Sequence, residues 1–559
     1  MARFARDCLE KMGEMVLKLE VTLGPDTTDL AMRVGFHSGP VTAGVLRGER
    51  ARFQLFGDTV NTAARMESTG IKTKIQISQE SAELIMASGK SQWIKAREDK
   101  VVAKGKGELK TYWLLPKKRG VASTSYSTYS PSEGLSEREH MEALELVTAS
   151  EQSSPEANPM ANEHIQRLVK YNCDILLQIL KKVVAKRAQA KTNTSKDSSS
   201  EKKLQQLEDR LGKTGSCLDE VAEVIHLPKF NSAAYNASET VEVSKEVICQ
   251  LSNYVEMIAS MYRNNPFHSF DHASHVTQST SKLLSRIVAC KEMEKGEEMH
   301  DHTYGITSDP LTQFAVMFSS LIHDVDHRGV PNYLLVKEDP SLGAIYNNQA
   351  VAEQNSVDIA WNLLMDPAFG SLRRAIYSNE CEMRRFRQLV VNGLMATDIF
   401  DKELSALRKN RWRKAFHAEE ETNPETTVNR KATIVIEHII QASDVSHTMQ
   451  HWHIYSKWNE RLYHEMFSAY CQGRSDKDPT EGWYKGELWF FDNYVIPLAN
   501  KLKECGVFGV SSDEYLNYAQ ANRREWEKKG KEIVAANFEK FKKELRDKNE
   551  EGVVVTPDP

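Results

Sequence analysis

Apolar residues recur with helical spacing over most of the chain after residue 205, and strand-like alternation is scarce there. The shorter segment 161–190 has the same spacing, with one apolar stripe and lysines crowding its last turns. We favour simple packing of this helix against a neighbouring domain, and a signalling or dimer helix is the alternative. The stripe consists of Ile165, Leu168, Val169, Ile175, Leu176, Ile179, Leu180, Val183 and Val184.

The chain before residue 118 has a different pattern, which mixes strands with helices. Residues 33–41 and 74–78 read as strands, and residues 59–68 read as a helix that follows a turn containing glycine. Two polar stretches rich in Ser, Thr, Lys and Glu cannot bury enough apolar surface to fold, so they read as linkers. The predicted organisation is an incomplete α+β unit at 1–117, a disordered linker at 118–160, a connecting helix at 161–190, a linker at 191–205 and a mostly α domain at 206–548.

Composition and charge exclude several classes of protein without indicating any chemistry. The 559 residues are 40% hydrophobic and 27% charged, which is ordinary globular composition. A net charge of -5 gives no general attraction to nucleic acid or to acidic membranes. No run of 18 apolar residues predicts a membrane span. The 8 cysteines form no CxxC pair, which is typical of a reducing compartment and indicates a location in the cytoplasm.

Histidines are concentrated in one part of the helical domain. Seven of the 17 lie between His268 and His327, in the strings NPFHSFDHASHV and LIHDVDHRG. On a helix, residues i and i+4 share a face, so His323 and His327 are expected to point into one space beside Asp324, and His268 and His272 repeat that spacing. Imidazole with carboxylate is a typical ligand set for zinc, and an aspartate can bridge to a harder ion such as magnesium.

The helical block from about 220 to 545 resembles the catalytic domain of class I 3′,5′-cyclic nucleotide phosphodiesterases, an all-helical metal-dependent family. The resemblance rests on NPFHSFDHASHV, HDVDHRGVPN, YNNQAVAEQNS, NGLMATD, ASDVSH and FFDNYVIPL. It implies hydrolysis of a cyclic nucleotide to the 5′-monophosphate by a two-metal-activated hydroxide, in signal transduction. The implied ions are zinc at the first position and magnesium or manganese at the second.

Individual roles follow from the same resemblance, position by position. It assigns the first metal to His272, His323, Asp324 and Asp444, with Asp324 bridging to the second ion. His268 is then the general acid that protonates the departing O3′, as a group with a pKa near neutrality can do. The side chains that orient metal-bound waters are His327, Glu353 and Thr397.

The residues expected to read the base depart from the family pattern. Glu487 stands where the family has a glutamine, three residues before the stacking residue Phe490. An ionised glutamate only accepts hydrogen bonds, and guanine presents two adjacent donors whereas adenine presents an acceptor. We therefore expect a preference for cGMP over cAMP. The alternative is that Glu487 points to solvent or is protonated, and that another residue reads the base.

The N-terminal segment resembles the later half of a class III nucleotide cyclase domain, most like receptor guanylyl cyclases. The resemblance rests on residues 33–68 and 101–115. It implies that Asn61 and Arg65 stabilise the transition state, that Lys104 contacts the triphosphate and that Gln54 occupies the base-reading position.

The metal-binding aspartates of that family lie in an earlier half, on strands that would precede residue 1. We therefore expect no cyclase activity from this chain alone, and we expect any dimer to form through the cyclase segment. A truncated receptor-like cyclase–phosphodiesterase, with its membrane span upstream, would explain this start and would make the chain the cytoplasmic part of a membrane receptor.

Three other functions remain as alternatives to the hydrolase. One is a synthase in which a partner chain completes the cyclase site. Another is a scaffold with a catalytically dead domain that only binds cyclic nucleotide, which the retained histidines and aspartates disfavour. The third is a general His-Asp phosphohydrolase acting on dNTPs, which would leave Glu487, Phe490 and NPFH unexplained.

Overall fold

The computed structural model divides into two compact units, residues 1–155 and 156–559. The predicted linkers at 118–160 and 191–205 lie almost entirely outside the described residues. Among the helices described, none has the length and apolarity that crossing a bilayer requires. The described residues are 1–46, 52–99, 101–103, 107–115, 159–190, 203–208, 217–231, 241–287, 297–417, 423–508 and 512–550.

The first unit is a small α+β assembly, as its mixed pattern predicts. Its four-stranded sheet has the order β1-β4-β8-β5, with β1 and β4 parallel and the other pairs antiparallel. Two separate hairpins, β2-β3 and β6-β7, complete the described strands. The elements are α1 (Ala2–Leu23), β1 (Val34–Phe36), β2 (Thr42–Leu46), β3 (Arg52–Phe56), α2 (Asp58–Ser68), β4 (Ile75–Ser78), α3 (Gln79–Ala87), β5 (Ile94–Ala96), β6 (Val101–Ala103), β7 (Gly107–Leu109) and β8 (Thr111–Leu114).

The second unit consists entirely of helices and their connections among the residues described, so the predicted fold class is confirmed. Its helices are α4 (Pro159–Ala190), α5 (Lys245–Met261), α6 (Phe270–Arg286), α7 (Glu297–His302), α8 (Pro310–Ile322), α9 (Asn332–Glu338), α10 (Pro340–Ile345), α11 (Val351–Met365), α12 (Gly370–Ile376), α13 (Glu380–Met395), α14 (Lys402–Phe416), α15 (Pro424–Asp444), α16 (Trp452–Cys471), α17 (Trp483–Phe490), α18 (Ile496–Glu504) and α19 (Ser512–Glu550).

Helix α8 forms the centre of this unit. Its sequence, PLTQFAVMFSSLI, is apolar on every face, and all but two of its residues are buried. A helix of this kind must be surrounded by others, and α8 packs against α4, α6, α13 and α15. Pro310 occupies the first turn, where its missing N–H costs no hydrogen bond. The end of α8 therefore delivers His323 into the interior.

Helix α4, which the sequence pattern places outside the catalytic domain, lies in the core of the second unit. It packs against α5, α6, α8 and α12, and its stripe residues Leu168, Leu176 and Leu180 are fully buried. The apolar stripe of α4 is thus buried by other helices of the same compact unit.

One widened turn joins α17 to α18. Residues Phe491–Val495 form a π-helix between the two α-helices, without an intervening loop. Phe491 is fully buried, whereas Phe490 is half-buried and stacks on Tyr494 with 5.3 Å between ring centroids. Of these adjacent phenylalanines, Phe491 therefore packs in the core and Phe490 remains partly exposed.

Candidate active site

Four of the predicted ligands come from three places in the fold and meet inside the second unit. His272 lies in the first turn of α6, and Asp444 is the last residue of α15. His323 and Asp324 follow directly after the end of α8. Helix α15 begins at a Pro424 turn capped by the Asn423 side chain, and its apolar residues bury it against the core, which fixes where Asp444 emerges.

The four side chains lie within hydrogen-bonding or ion-pairing distance of one another. The Nε2 atom of His272 lies 3.1 Å from Oδ1 of Asp444 and 3.8 Å from Oδ2 of Asp324. The Nε2 atom of His323 lies 3.0 Å from Oδ2 of Asp324 and 3.5 Å from Oδ1 of Asp444. Both imidazoles are buried, and both carboxylates are about four-fifths buried.

The chemistry of these donors fits a divalent cation. Nδ1 of His323 lies 3.0 Å from the carbonyl oxygen of Ser320, so the proton of a neutral ring belongs on Nδ1. In that neutral form its Nε2 presents a lone pair toward two carboxylate oxygens, at 3.0 Å from Asp324 and 3.5 Å from Asp444. Lone pairs aimed at carboxylates are unfavourable unless a cation lies between them. These residues could hold a metal ion.

The pKa shifts of the cluster also favour a positive charge beside the two carboxylates. Burial lowers the pKa of His323, but Asp324 and Asp444 outweigh it and raise that pKa well above its usual value. Burial would raise the pKa of Asp324, yet the neighbouring His323 holds it well below its usual range. Both carboxylates therefore keep negative charge, which a protonated His323 can balance and which a bound cation would balance in place of that proton.

The helical i, i+4 argument for the histidine pairs is wrong. Helix α8 ends at Ile322, and the chain turns at Asp326, whose φ of 63° is in the left-handed region. The Asp326 carboxylate is held by Arg263, at 2.7 Å, and by the Asn355 side chain, at 3.2 Å. His327 thus lies beyond the helix, although it remains close enough to His323 and Asp324 for their charges to affect its pKa. His268 likewise precedes the start of α6, so it does not share a helix face with His272.

His268 and His327 instead form a second cluster with Glu465. The two rings stack with 3.8 Å between centroids, and Nδ1 of His268 lies 2.5 Å from Oε1 of Glu465. The other oxygen of this buried glutamate accepts the backbone N–H groups of Phe267 and His268, at 2.9 and 3.0 Å. Glu465 thus fixes both the ring and the backbone of His268.

The charges of this second cluster are divided between the two histidines. Burial lowers the pKa of His268, but Glu465 outweighs it and raises that pKa to about 9. Burial and the neighbouring His268 lower the pKa of His327 to about 4. At neutral pH, His268 is therefore protonated and His327 is neutral. Nδ1 of His327 accepts the Gly329 N–H at 3.1 Å, which leaves its Nε2 as a donor.

Glu353 lies in a third group with Asp398, which directly follows Thr397 in the chain. The Asn332 amide nitrogen bridges the two carboxylates, at 2.9 Å from Glu353 and 3.3 Å from Asp398. Burial and the charge of Asp398 raise the pKa of Glu353 to about 8. The Thr397 hydroxyl donates to the Leu394 carbonyl, so only its lone pairs are left to bind another group.

Glu487 is held inside the protein and does not point to solvent. The Tyr455 hydroxyl donates to its Oε2 at 2.7 Å, and Asn459 also hydrogen-bonds it. The Asn459 carbonyl oxygen accepts the Trp483 indole N–H at 3.3 Å, so its amide nitrogen faces Glu487. Burial raises the pKa of Glu487 to about 7 despite these donors. The carboxyl is thus ionised only in part at neutral pH.

Three of the four residues assigned by the cyclase resemblance lie among the described residues of the first unit. Asn61 and Arg65 are one turn apart on α2, as their spacing predicts, with Asn61 exposed. Gln54 lies in β3, opposite Gly44 of β2. Lys104 lies outside the described residues.

Sequence reasoning missed four side chains that support the predicted ones, namely Glu465, Asp398, Tyr455 and Asn459. Asp398 follows Thr397 within NGLMATD, and that adjacency could have indicated it. The other three lie on α16, in a helix whose polar residues look like any solvated face. No signal in the sequence distinguishes them.

Matches to known families agree with this division of the chain. Residues 267–507 match the family described as 3'5'-cyclic nucleotide phosphodiesterase, and residues 1–116 match the adenylate and guanylate cyclase catalytic domain. The first match is narrower than the 220–545 expected from the motifs.

Individual relatives cover different parts of the chain. A probable 3',5'-cyclic-AMP phosphodiesterase from Caenorhabditis elegans is 27% identical over 44% of this chain and 32% of its own length. A cGMP-specific phosphodiesterase from Dictyostelium discoideum is 24% identical over 50% and 55%. Atrial natriuretic peptide receptor 2 from Bos taurus is 47% identical over 17% and 9%. The chain thus spans 9 to 55% of the length of these curated relatives.

Among solved structures, the phosphodiesterase domain of Salpingoeca rosetta rhodopsin phosphodiesterase is similar to this chain. The alignment has 20% sequence identity and a TM-score of 0.40, and it covers 53% of this chain and 83% of that domain.

Helices packed around buried imidazoles and carboxylates define the second unit as a helical domain with a candidate metal site. Residues 267–507 of this domain match the 3′,5′-cyclic nucleotide phosphodiesterase family, and residues 1–116 of the first unit match the nucleotide cyclase family. Both resemblances found in the sequence are confirmed.

Removing one carboxylate should weaken metal binding. We expect Asp444→Asn to raise the dissociation constant for Zn²⁺ at least about tenfold, because it removes a charge from the ligand cluster. Competition with a chromophoric chelator measures this directly. Glu425→Gln, on the exposed start of the same helix, is the control and should bind Zn²⁺ like the unmodified chain. Equal affinities for all three proteins would contradict the site.

Proposed function

We propose that the second unit hydrolyses a 3′,5′-cyclic nucleotide to the 5′-monophosphate, with cGMP preferred over cAMP. One observation carries this proposal above the others. His268, whose ring is held by Glu465, lies beside a cluster of imidazoles and carboxylates suited to divalent cations, with 6.2 Å between its ring centroid and that of His272. A phosphodiester needs both, because its negative charge must be neutralised and its leaving alkoxide must be protonated.

His272, His323, Asp324 and Asp444 would hold the first metal, with zinc as the candidate ion. Asp324 would also face a second ion, magnesium or manganese, whose surroundings include His327, Glu353 and Thr397. When bound, such ions supply Lewis-acid charge at the phosphoryl oxygens and lower the pKa of a coordinated water. Asn332 keeps Glu353 and Asp398 together, and the raised pKa of Glu353 shows that two negative charges there are unfavourable without a nearby cation.

His268 would act as the general acid. Its Nδ1–H donates to Glu465, so Nε2 is the nitrogen left to give a proton to the departing O3′. Glu465 stabilises the imidazolium before the reaction and holds the ring in one orientation. The stacked His327 is neutral and therefore adds no competing charge.

Glu487 and Phe490 would bind the base. Both neighbours of Glu487 donate to it, so its remaining lone pairs are available for the N1–H and N2–H of guanine. Phe490 stacks on Tyr494 and would offer a ring to the purine. The ionised form of Glu487 favours guanine, and the protonated form can donate to adenine.

The first test is hydrolysis of cGMP and cAMP by the full chain. Activity should be lost on chelation and should recover with added metal.

The Glu465→Gln variant tests whether Glu465 keeps the general acid His268 protonated. His268 is active when protonated, so activity persists below its pKa and falls as the pH rises through it. Losing the carboxylate lowers that pKa from about 9, so we expect the alkaline limb to move to lower pH and activity at pH 8 to fall about tenfold or more.

Glu460→Gln is the matched control, because Glu460 lies on the same helix but pairs with Lys540 at the surface. It should leave the pH profile unchanged. An identical alkaline limb in Glu465→Gln would show that Glu465 does not set the protonation of the acid. No hydrolysis by the unmodified, metal-loaded chain would refute the proposed activity itself.

The base preference should depend on pH. Glu487 is protonated below about 7 and ionised above it, so the ratio of kcat/KM for cGMP to that for cAMP should rise between pH 6 and pH 8. The rise should approach tenfold, which corresponds to one charged hydrogen bond. Glu487→Gln should give a smaller ratio that no longer changes with pH, and Glu481→Gln should behave like the unmodified chain. Equal efficiencies, or a preference for cAMP, would contradict the assignment.

We also propose that the first unit mediates dimerisation. Helix α1 buries Ala5 and Val16 but leaves Phe4 and Met15 64% and 48% exposed. Phe4 and Met15 are eleven residues apart, which places them on one face of the helix. An exposed apolar face on a unit this small is typical of a contact surface.

Sedimentation velocity of the full chain should therefore show a dimer at micromolar concentration. Replacing Phe4 and Met15 together by serine should weaken the dimer about tenfold or more, because both apolar side chains would leave the interface. Leu84→Ser, at an equally exposed position of α3, is the control. A monomer at every concentration would exclude this role.

A further inference from the structure

Helix α4 contacts the helix that carries His272. The Nε2 atom of His164, in the second turn of α4, lies 2.6 Å from Oδ1 of Asp271. Two turns later, the Asn172 amide donates to the Ser274 hydroxyl at 2.8 Å. Asp271 and Ser274 flank the metal-binding position on α6. Hydrogen bonds are directional, whereas apolar packing is not. These polar contacts therefore fix how α4 is rotated relative to α6.

Asp271 also connects α4 to α16. Arg461 of α16 lies 3.6 Å from the second oxygen of Asp271, and its guanidinium lies over the Trp458 ring at 4.8 Å. Trp458 packs against the imidazole of His272, with 5.4 Å between ring centroids. The carboxylate of Asp271 is therefore held from two sides, next to a metal-binding imidazole that is itself held by the tryptophan.

The far end of α4 is attached to different parts of the unit. Lys186 lies 3.3 Å from the buried carboxylate of Asp309. Arg187 donates to the last carbonyl groups of α12 at 2.8 to 3.1 Å and pairs with Glu382 at 3.1 Å. Among the described residues, the hydrogen bonds and ion pairs given for these two side chains lead to α12, α13 and the residues before α8, and none leads to α6. The two ends of one helix thus provide an internal comparison between general packing and support of the metal site.

We propose that His164 is a positioning residue for the metal centre, which acts through Asp271 to fix the orientation of His272. As support for catalysis this rests on the proposed phosphodiesterase function, whereas the effect on metal binding does not. His164 lies about one hundred residues before the matched family segment 267–507. The metal site would therefore depend on a helix that precedes the matched domain.

The test compares His164→Phe with Lys186→Met in the full chain. The first removes the hydrogen bond to Asp271 and keeps a ring, and the second loosens the opposite end of the same helix. We expect His164→Phe to raise the Zn²⁺ dissociation constant about tenfold in chelator competition, in line with loss of a group that supports a ligand. Lys186→Met should lower Tm comparably and leave Zn²⁺ binding unchanged.

Two further variants separate positioning from stability. His164→Gln keeps a donor and should restore most of the Zn²⁺ affinity. Asp271→Asn should weaken Zn²⁺ binding at least as much, because it removes the charge that faces both His164 and Arg461. Its combination with His164→Phe should be little worse than Asp271→Asn alone, because the two changes share the His164–Asp271 contact. Asp271→Asn also provides the test if His164→Phe does not fold. With cGMP as substrate, His164→Phe should lower kcat at saturating metal more than it raises KM.

Unchanged Zn²⁺ affinity in both His164→Phe and Asp271→Asn would overturn the proposal, whatever happens to Tm. Equal losses of affinity in His164→Phe and Lys186→Met would also overturn it, because they would show a general effect of loosening α4. If the unmodified chain binds Zn²⁺ but hydrolyses no cyclic nucleotide, the proposed function fails while the positioning of His272 is still measured by metal binding.

Discussion

Burial of two carboxylates beside two imidazoles is the constraint on which the second unit depends. Asp324 and Asp444 lie within 3.0 to 3.8 Å of His272 and His323, in a space closed off by helices. Charges cannot remain there without compensation. Three neighbouring groups hold these side chains in place. The Ser320 carbonyl lies behind His323, the Trp458 ring packs against His272, and Asp444 is the last residue of α15.

Much of the candidate site could be predicted from the sequence because its residues fall in short strings. HDVDH and ASDVSH each place several groups within a few positions, so the residues that meet in space are also concentrated in the sequence. The local geometry could not be predicted in the same way. The left-handed turn at Asp326 depends on Arg263 and Asn355, which are 63 and 29 residues away, and no local pattern reports such partners.

The fold shows the same division between local and distant information. Periodicity predicted the helical domain, the mixed first unit and the existence of α4, because each depends on apolar spacing within a segment. It did not show that α4 completes the core of the second unit, since an amphipathic stripe does not identify its partner. Glu465 was missed for a related reason, because its role comes from bonds to Phe267 and His268, nearly two hundred positions earlier.

The π-helix at Phe491–Val495 restricts how the helix face that carries Glu487 and Phe490 could change during evolution. A π-turn holds more residues than an α-turn, and each residue rotates the following side chains by about 100°. Substitutions at Glu487 or Phe490 would alter the chemistry of that face while its direction stayed fixed by Phe491 in the core. Deletion of one residue within the turn would instead rotate the whole face relative to α18. Insertions and deletions are therefore the mutations able to reorient the face that carries Glu487 and Phe490.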